Sequence, residues 1–334
     1  MSSISASRFD CVLVTGGAGY IGSVLVALLL RSGYRVRVLD CLRYGGTSLL
    51  AHATNERFEL IVGDIRSPAD LDGALKDIEA VVHLAAIVGD PACRREPELA
   101  RAINDDAGRR LCERAVAAGV RRFVFASTCS NYGRMADPSQ YVDERSPLKP
   151  ISLYAELKVA FERYLMAQKR DRFVPVCLRF ATAYGLSPRP RFDLTVNEFT
   201  CTLALGHRLE VYGEQFWRPY CHTSDLACAC LTALEADDKL VAHQAFNVGD
   251  TGENYQKITL ARLIADELGN DARSRIVSVR CDEDPRDYRV SFDKIKKALG
   301  FVPKQRVVDG IREIAAAIRT GMIKDPDNRL YRND

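Results

Sequence analysis

Short apolar runs alternate with longer amphipathic stretches along the first half of the chain. Residues 12–14, 36–40, 58–62, 80–84, 123–126 and 174–180 are brief and rich in branched or aromatic side chains, the pattern of strands buried on both faces. Between them lie an apolar stretch at 24–30, a proline-initiated segment from Ser67-Pro68 through Leu75, and helix-like segments over 98–118 and 154–169. Strand–helix alternation of this kind predicts an α/β fold, a Rossmann-type doubly wound parallel sheet.

The pattern changes at Ala181. Pro188, Pro190 and a run of arginines precede a helix-like stretch at 194–205, and Val211-Tyr212-Gly213 with Phe216-Trp217-Arg218-Pro219-Tyr220 reads as a lid or pocket wall. Residues 222–234 and 245–248 then supply a further helix and strand to the first sheet. Two interleaved domains are expected: 1–180 with about 222–250, and a smaller C-terminal one of about 181–221 with 251–330. The second is completed by segments at 259–268, 276–279, 294–299 and 307–318, and the polar residues from Lys324 onward are expected to be loosely held.

The stretch 12–40 organises the rest. After the first strand come Gly16, Gly17, Gly19 and Gly22, then a helix, then a strand ending in Asp40. In the spacing Gly16-x-x-Gly19-x-x-Gly22 the first glycine permits a tight turn, the second lets backbone approach a diphosphate, and the third lets helix and strand pack closely. The helix amino terminus offers unpaired N–H groups to the anion, with Tyr20 and Ile21 beside it. About twenty residues beyond the loop, the Asp40 carboxylate can accept hydrogen bonds from a ribose 2′-hydroxyl and would repel a 2′-phosphate, which selects NAD over NADP. The same cofactor wall is expected to include Asp64 and Ile65 at the adenine edge, the small Leu84-Ala85-Ala86 turn, Asn104 on the helix over 98–118, and Ser127. His83, in the fourth strand, reads as a structural histidine.

Composition narrows the partners. Lys and Arg total 47 against 44 Asp and Glu, a near balance that gives no electrostatic case for nucleic acid or a membrane surface. No stretch is long and apolar enough to cross a bilayer, and the first ten residues lack the apolar core of a signal peptide, so a cytoplasmic protein is expected. Of the eleven cysteines, Cys11, Cys177, Cys228 and Cys230 lie in or beside apolar segments as small hydrophobes, and no Cys-x-x-Cys pair occurs. No metal is expected.

The candidate chemistry follows the fifth strand. Tyr154 and Lys158 are four apart, hence on one helix face. A free tyrosine has a pKa of about 10, too high for a general base near neutrality; an adjacent ammonium and a positive nicotinamide would lower it. Tyr154 would then take the proton of a sugar hydroxyl while Lys158 holds the nicotinamide ribose. Thr128 adds a hydroxyl able to steady the reacting oxygen, and Ser127 and Tyr132 are accessories to the same surface.

These residues carry a resemblance. The chain resembles the extended branch of the short-chain dehydrogenase/reductase family, and within it the nucleotide-sugar epimerases and dehydratases. The likeness rests on Thr15-Gly16-Gly17-Ala18-Gly19-Tyr20-Ile21-Gly22, Gly63-Asp64, His83-Leu84-Ala85-Ala86, Ser127-Thr128 to Tyr132-Gly133, Tyr154-x-x-x-Lys158, Leu178-Arg179-Phe180 and Arg218-Pro219-Tyr220-Cys221-His222-Thr223-Ser224-Asp225. It implies a nucleoside-diphosphate sugar as substrate, a homodimer joined through the helices near 98–118 and 154–169, and substrate contacts at Thr128, Cys129, Ser130, Tyr154, Asn197, Tyr212, Arg218 and Arg286. Asn197 would sit near the diphosphate, and Arg218 and Arg286 would contact phosphate or nucleotide. Dehydratases of the family carry aspartate and glutamate directly after the threonine, to protonate the departing hydroxide and to remove the C5 proton; here those places hold Cys129 and Ser130. That difference favours a C4 epimerase working through a transient 4-keto sugar, with a ketosugar reductase or dehydrogenase as the alternative. A 4,6-dehydratase, a 3,5-epimerase using Cys129, or a catalytically idle dinucleotide-binding protein are remoter readings.

Overall fold

The computed structural model describes residues 9–333 except 136, 138, 270 and 281–285. Its strands, in chain order, are β1 (Cys11–Thr15), β2 (Arg35–Asp40), β3 (Phe58–Val62), β4 (Ala80–His83), β5 (Arg122–Thr128) and β6 (Val174–Phe180). They continue as β7 (Thr182–Tyr184), β8 (Leu209–Tyr212), β9 (Trp217–His222), β10 (Gln244–Val248), β11 (Asn254–Gln256) and β12 (Ile276–Val279). Seven of them form one parallel sheet in the order β10-β6-β5-β4-β1-β2-β3. The chain runs outward from β1 to β3 and then crosses back to β4 on the other side of β1, so the order reverses between β1 and β4. At such a reversal the connections leave in opposite directions and open a crevice at the carboxyl ends of the strands.

The central strands are buried from end to end, as their unbroken apolar runs require. Helices Tyr20–Arg31 and Thr223–Glu235 cover one face through Leu25, Leu29, Leu226 and Ala233; helices Pro68–Leu75, Gly108–Ala117 and Leu153–Met166 cover the other through Leu71, Leu111, Phe161 and Leu165. Ser67 caps helix Pro68–Leu75 by accepting from the Asp70 N–H at 3.3 Å, with Pro68 in the first turn where no N–H is needed.

The chain leaves the large sheet after β6 and returns to it at β10, which pairs with β6 from Gln244↔Val176 to Val248↔Phe180. Between and after these strands lie the small sheet β11-β9-β7 and the pair β12-β8. Helices Thr195–Ala204, Lys257–Leu268 and Val307–Arg319 pack there around Val196, Leu260, Ile264 and Ile311.

One expectation fails at the end of the described chain. Residues 331–333 are held between the two parts: Phe192 N–H donates to the Tyr331 carbonyl at 2.9 Å, Arg189 to the Arg332 carbonyl at 3.2 Å, and Arg95 to the Asn333 carbonyl at 3.2 Å. Polarity predicts solvent exposure, but here the backbone carbonyls are satisfied by one backbone N–H and two arginine side chains, and Tyr331 packs its ring against Phe192.

Candidate active site

The glycines build one end of the cleft. Gly16 turns with φ +74°, and a Cβ there would lie 2.7 Å from the Ala85 nitrogen; at Gly22 it would lie 2.2 Å from the Gly16 carbonyl oxygen. Backbone thus approaches backbone where any side chain would intrude. The helix that follows begins at Tyr20 with Gly19 as its N-cap and no side-chain cap, so its first N–H groups face the cleft unclaimed. Asp40 lies on the wall at the end of β2, accepting from the Ala18 N–H at 2.9 Å and the Leu42 N–H at 2.8 Å. Burial pushes its carboxyl pKa up while these two N–H groups pull it down. Farther along, Asp64 is bonded by Arg66, which lowers its pKa.

This wall encloses a cavity of about 570 Å³ that is also lined by Gly19, Tyr20, Ile21, Ile65, Leu84, Ala85 and Ala86. At its inner end stand Ser127, Thr128, Ser130, Tyr154 and Lys158. Helix Leu153–Met166 carries Tyr154 and Lys158 one turn apart; its N-cap Ser152 accepts from Ala155 N–H and donates to Asp90 at 2.6 Å. Lys158 Nζ donates to the Ala126 carbonyl at 2.8 Å and lies 5.8 Å from the Tyr154 ring centroid. Burial pulls the lysine pKa down to about 8.

The expected activation of Tyr154 is not supplied by these side chains alone. Burial first, then the neighbouring Cys93 and Asp90, hold the phenol above its ordinary pKa. The Lys158 ammonium is directed at the Ala126 carbonyl and the Phe125 face, and does not offset that burial. The Arg191 guanidinium pulls in the other direction, and a further positive charge beside the ring would lower the phenol pKa more.

Behind Thr128 a buried polar network fixes the end of β5. Arg179 pairs with Glu162 at 2.5 Å and donates to Tyr132 OH at 2.9 Å; Ser127 donates to Glu162 at 2.7 Å; Tyr132 donates to Asn247 at 2.7 Å. Ser127 thus touches the cavity but spends its proton inward. His83 is structural, with Nδ1 2.7 Å from the Thr15 hydroxyl and its pKa lowered to about 3 by burial.

Beyond Tyr154 the cavity joins a second of about 240 Å³, whose walls hold Arg191, Arg218, Lys257 and Arg286 with Asp90 and Asp193. Arg286 pairs with Asp90 at 2.7 Å and Arg191 with Asp193, while Arg218 donates to the Arg286 carbonyl at 2.6 Å and stacks over Tyr288. Four cations against two carboxylates suit a dianionic group such as a diphosphate. The chain segment just before Arg286 lies outside the described residues.

Four expected contacts do not reach either cavity. Asn104 is buried with its amide bonded to both the N–H and the carbonyl of Ile87, each at 2.8 Å, so it shapes the turn after β4 from behind. Cys129 is buried, and its thiol points to the Arg179 carbonyl at 3.2 Å with its pKa pushed up by burial. Asn197 is spent on Gly185, Arg191 and Tyr20. Tyr212 is half exposed at the end of β8, its hydroxyl on Glu210.

In turn, the pattern of the sequence did not single out Arg189, Arg191, Lys257, Tyr288 or Asn333, all of which line the cleft. Arg189 and Arg191 are only 5% and 7% exposed, and Arg189 stacks on Tyr44 at 4.0 Å across the cavity mouth. The alternation Pro188-Arg189-Pro190-Arg191 was the available signal: prolines fix the backbone so that successive arginines can be aimed.

The comparisons with known proteins agree with this geometry. Residues 12–249 match the model of the NAD dependent epimerase/dehydratase family. A UDP-glucose 4-epimerase of Mycolicibacterium smegmatis is 32% identical over 315 residues, covering 92% of this chain and 98% of the relative. A dTDP-glucose 4,6-dehydratase of Streptomyces niveus is 31% identical over 343 residues, covering 96% and 94%. Among solved structures, the UDP-glucose 4-epimerase of Thermotoga maritima with UDP-glucose superposes with a TM-score of 0.83 at 28% identity, covering 93% of this chain and 99% of that one. The glycine cradle, the uncapped helix terminus and Asp40 fit a dinucleotide, and the chain belongs to the NAD-dependent epimerase/dehydratase family of the extended short-chain dehydrogenases/reductases, an enzyme whose cofactor is NAD.

Proposed function

We propose that the protein is a nucleotide-sugar epimerase that inverts C4 through a transient 4-keto sugar. The observation that carries this reading is the surface after Thr128: Cys129 is turned away into the core, and Ser130 is paired with the Tyr288 hydroxyl at 3.1 Å. Neither position offers the carboxylate that elimination of water needs, whereas Thr128, Tyr154 and Lys158 all stand on one cavity.

NAD, when bound along the glycine cradle, supplies a hydride acceptor, a hydride donor for the return step, and the positive charge that lowers the Tyr154 pKa. Tyr154 as phenolate takes the proton of the C4 hydroxyl, and as phenol would return it to that same oxygen once the carbon has received hydride on its other face. Thr128 steadies the oxygen as it changes between alcohol and ketone. Lys158, through its Ala126 bond, holds the helix face against the strand end and presents its remaining N–H donors to the cofactor ribose. The cluster of Arg218, Lys257 and Arg286 anchors the diphosphate, leaving the sugar as the group free to turn. No net oxidant is consumed. A cytoplasmic homodimer belongs to the same reading, and sedimentation of the purified protein tests the dimer.

The reading is tested by incubating the purified protein with UDP-, GDP-, CDP- and dTDP-sugars and weighing the products. An isomer of unchanged mass without added cofactor supports it. A change of two hydrogens matched by nicotinamide turnover makes the protein a ketosugar reductase or dehydrogenase, and loss of water overturns the argument from Cys129 and Ser130.

A further inference from the structure

Asp90 makes two bonds that lead to opposite ends of the substrate path. Its own backbone is fixed by its neighbours: Gly89 turns with φ +96°, where a side chain would be strained, and Pro91 follows in the first turn of the helix Asp90–Arg95. One carboxylate oxygen accepts from the Ser152 hydroxyl at 2.6 Å, and the other pairs with the Arg286 guanidinium at 2.7 Å. Ser152 is the N-cap of the helix that carries Tyr154. Arg286 belongs to the facing wall, where Arg218 of β9 donates to its carbonyl at 2.6 Å. The Asp90 side chain is 11% exposed and that of Arg286 29%, so the carboxylate orients a guanidinium that is still open to a ligand in the second cavity. A continuous run of bonds thus joins the proposed diphosphate cluster to the catalytic helix, from Arg218 through Arg286, Asp90 and Ser152.

A carboxylate suits this place because it has one oxygen for each donor and a charge that strengthens the bond to the guanidinium. The same charge acts on the base. Asp90 opposes ionisation of the Tyr154 phenol together with Cys93 of its own helix and Tyr288 of the facing wall, while Arg191 favours it and Lys158 stands 5.8 Å from the ring centroid. In a sugar joined to a diphosphate through C1, the ring carbon that meets the phenol depends on the separation of anchor and base. We propose that Asp90 is a positioning residue that fixes this separation, holding the Arg286 guanidinium and the Tyr154 helix in one register so that C4 lies at the phenol. The inference rests on the reading of the substrate as a nucleotide sugar epimerised at C4.

The test is steady-state kinetics of the NAD-loaded protein across pH, with the UDP-, GDP-, CDP- or dTDP-sugar that wild type epimerises. Asp90→Asn keeps the volume and an acceptor for Ser152 but loses the charge that holds Arg286. On the plateau of the pH profile it should lower kcat about tenfold, the scale of one charge-assisted hydrogen bond, with KM little changed and NAD bound as in wild type. The acid limb of kcat should move to lower pH by about one unit, because a negative charge has left the phenol. Asp90→Glu keeps the charge and lengthens the link, so it should lose kcat with the limb left in place. In an Arg286→Ala background, Asp90→Asn should cost almost nothing further on the plateau, since the residue it acts through is gone. An unchanged kcat in Asp90→Asn, a loss confined to KM, an unmoved acid limb, or an equal loss with and without Arg286 would each overturn the assignment while the substrate reading stood. A wild-type protein that epimerises none of these sugars at C4 would overturn that reading, and the assignment with it.

Discussion

The two ends of the cleft are made of different materials. At the cofactor end the wall is backbone and small side chains: Gly16, Gly19 and Gly22, the Ala85-Ala86 turn, and one carboxylate, Asp40, held by two N–H groups. Nearly all of it comes from the first four strand–turn units. At the substrate end the wall is long charged side chains, Arg191, Arg218, Lys257 and Arg286, with Tyr288 and Asn333, drawn from separate segments over some hundred and forty residues. Backbone contact with a ligand requires fixed spacing, because a single Cβ would block it. A long side chain can reach one point from many places in the chain, so its position obeys no spacing rule. The first kind of wall conserves one cofactor's shape; the second can be rebuilt for different sugars with the first untouched.

Substitutions can break or sharpen this contrast. The largest effect is expected where the two ends meet. Tyr154→Phe should lower turnover by about a thousandfold, the scale of lost acid–base catalysis, with both NAD and nucleotide-sugar affinities retained; turnover within a few-fold of wild type would remove Tyr154 from its role. Next is the cofactor wall itself. The Cβ of Gly22→Ala would lie 2.2 Å from the Gly16 carbonyl oxygen and 2.8 Å from the Gly17 Cα, both backbone, so it should destabilise the fold by about 3 kcal/mol and abolish NAD binding, read by denaturant unfolding and by NAD titration.

Lys158 provides a pH signature of the same wall. Its pKa falls to about 8 in the fold from an unperturbed 10.5, so below pH 8 the fold bears the cost of a buried ammonium. Between those two values the folded chain has released the proton while the unfolded chain still holds it, and stability should rise with pH. Measured as the difference between wild type and Lys158→Met, the gain should be about 2 kcal/mol between about pH 7 and pH 9.5. A flat difference would mean that the ammonium is not desolvated. The smallest effect belongs to the substrate end: Arg218→Ala should weaken nucleotide-sugar binding about tenfold with NAD affinity unchanged, and a comparable loss of NAD would blur the division between the ends.

The same contrast explains what could be read from the sequence. The parallel sheet was legible because β1, β4, β5 and β6 are buried on both faces and so are apolar without interruption. The cofactor loop was legible because its glycines hold a strict spacing, and Tyr154 with Lys158 because one helical turn fixes them relative to each other. Asn104 and Asn197 show what composition leaves open: an amide that bonds backbone inside the protein has the same composition as one that bonds a ligand, and only the position of Ile87 or Gly185 reveals the backbone bonds. Tyr212 looked like a pocket wall because aromatic and basic residues surround it in sequence, yet strand alternation turns it outward beside Glu210. The poise of Tyr154 was half legible. The lysine is in place, but burial opposes it, and so do Cys93 and Asp90, brought in by a different segment. The place of residues 331–333 in the cleft was invisible because it rests wholly on tertiary contacts, Phe192 with Tyr331, Arg189 with Arg332 and Arg95 with Asn333.

On the proposed reading the sugar is oxidised and reduced at one carbon without leaving the site. This is tested most directly by offering a nucleotide sugar deuterated at C4 and following the label by mass and magnetic resonance. The account predicts a C4 epimer that keeps its deuterium at C4, formed by an amount of NAD far below that of product. Deuterium released on reduced cofactor in step with product, or a product lighter by one water, would contradict it.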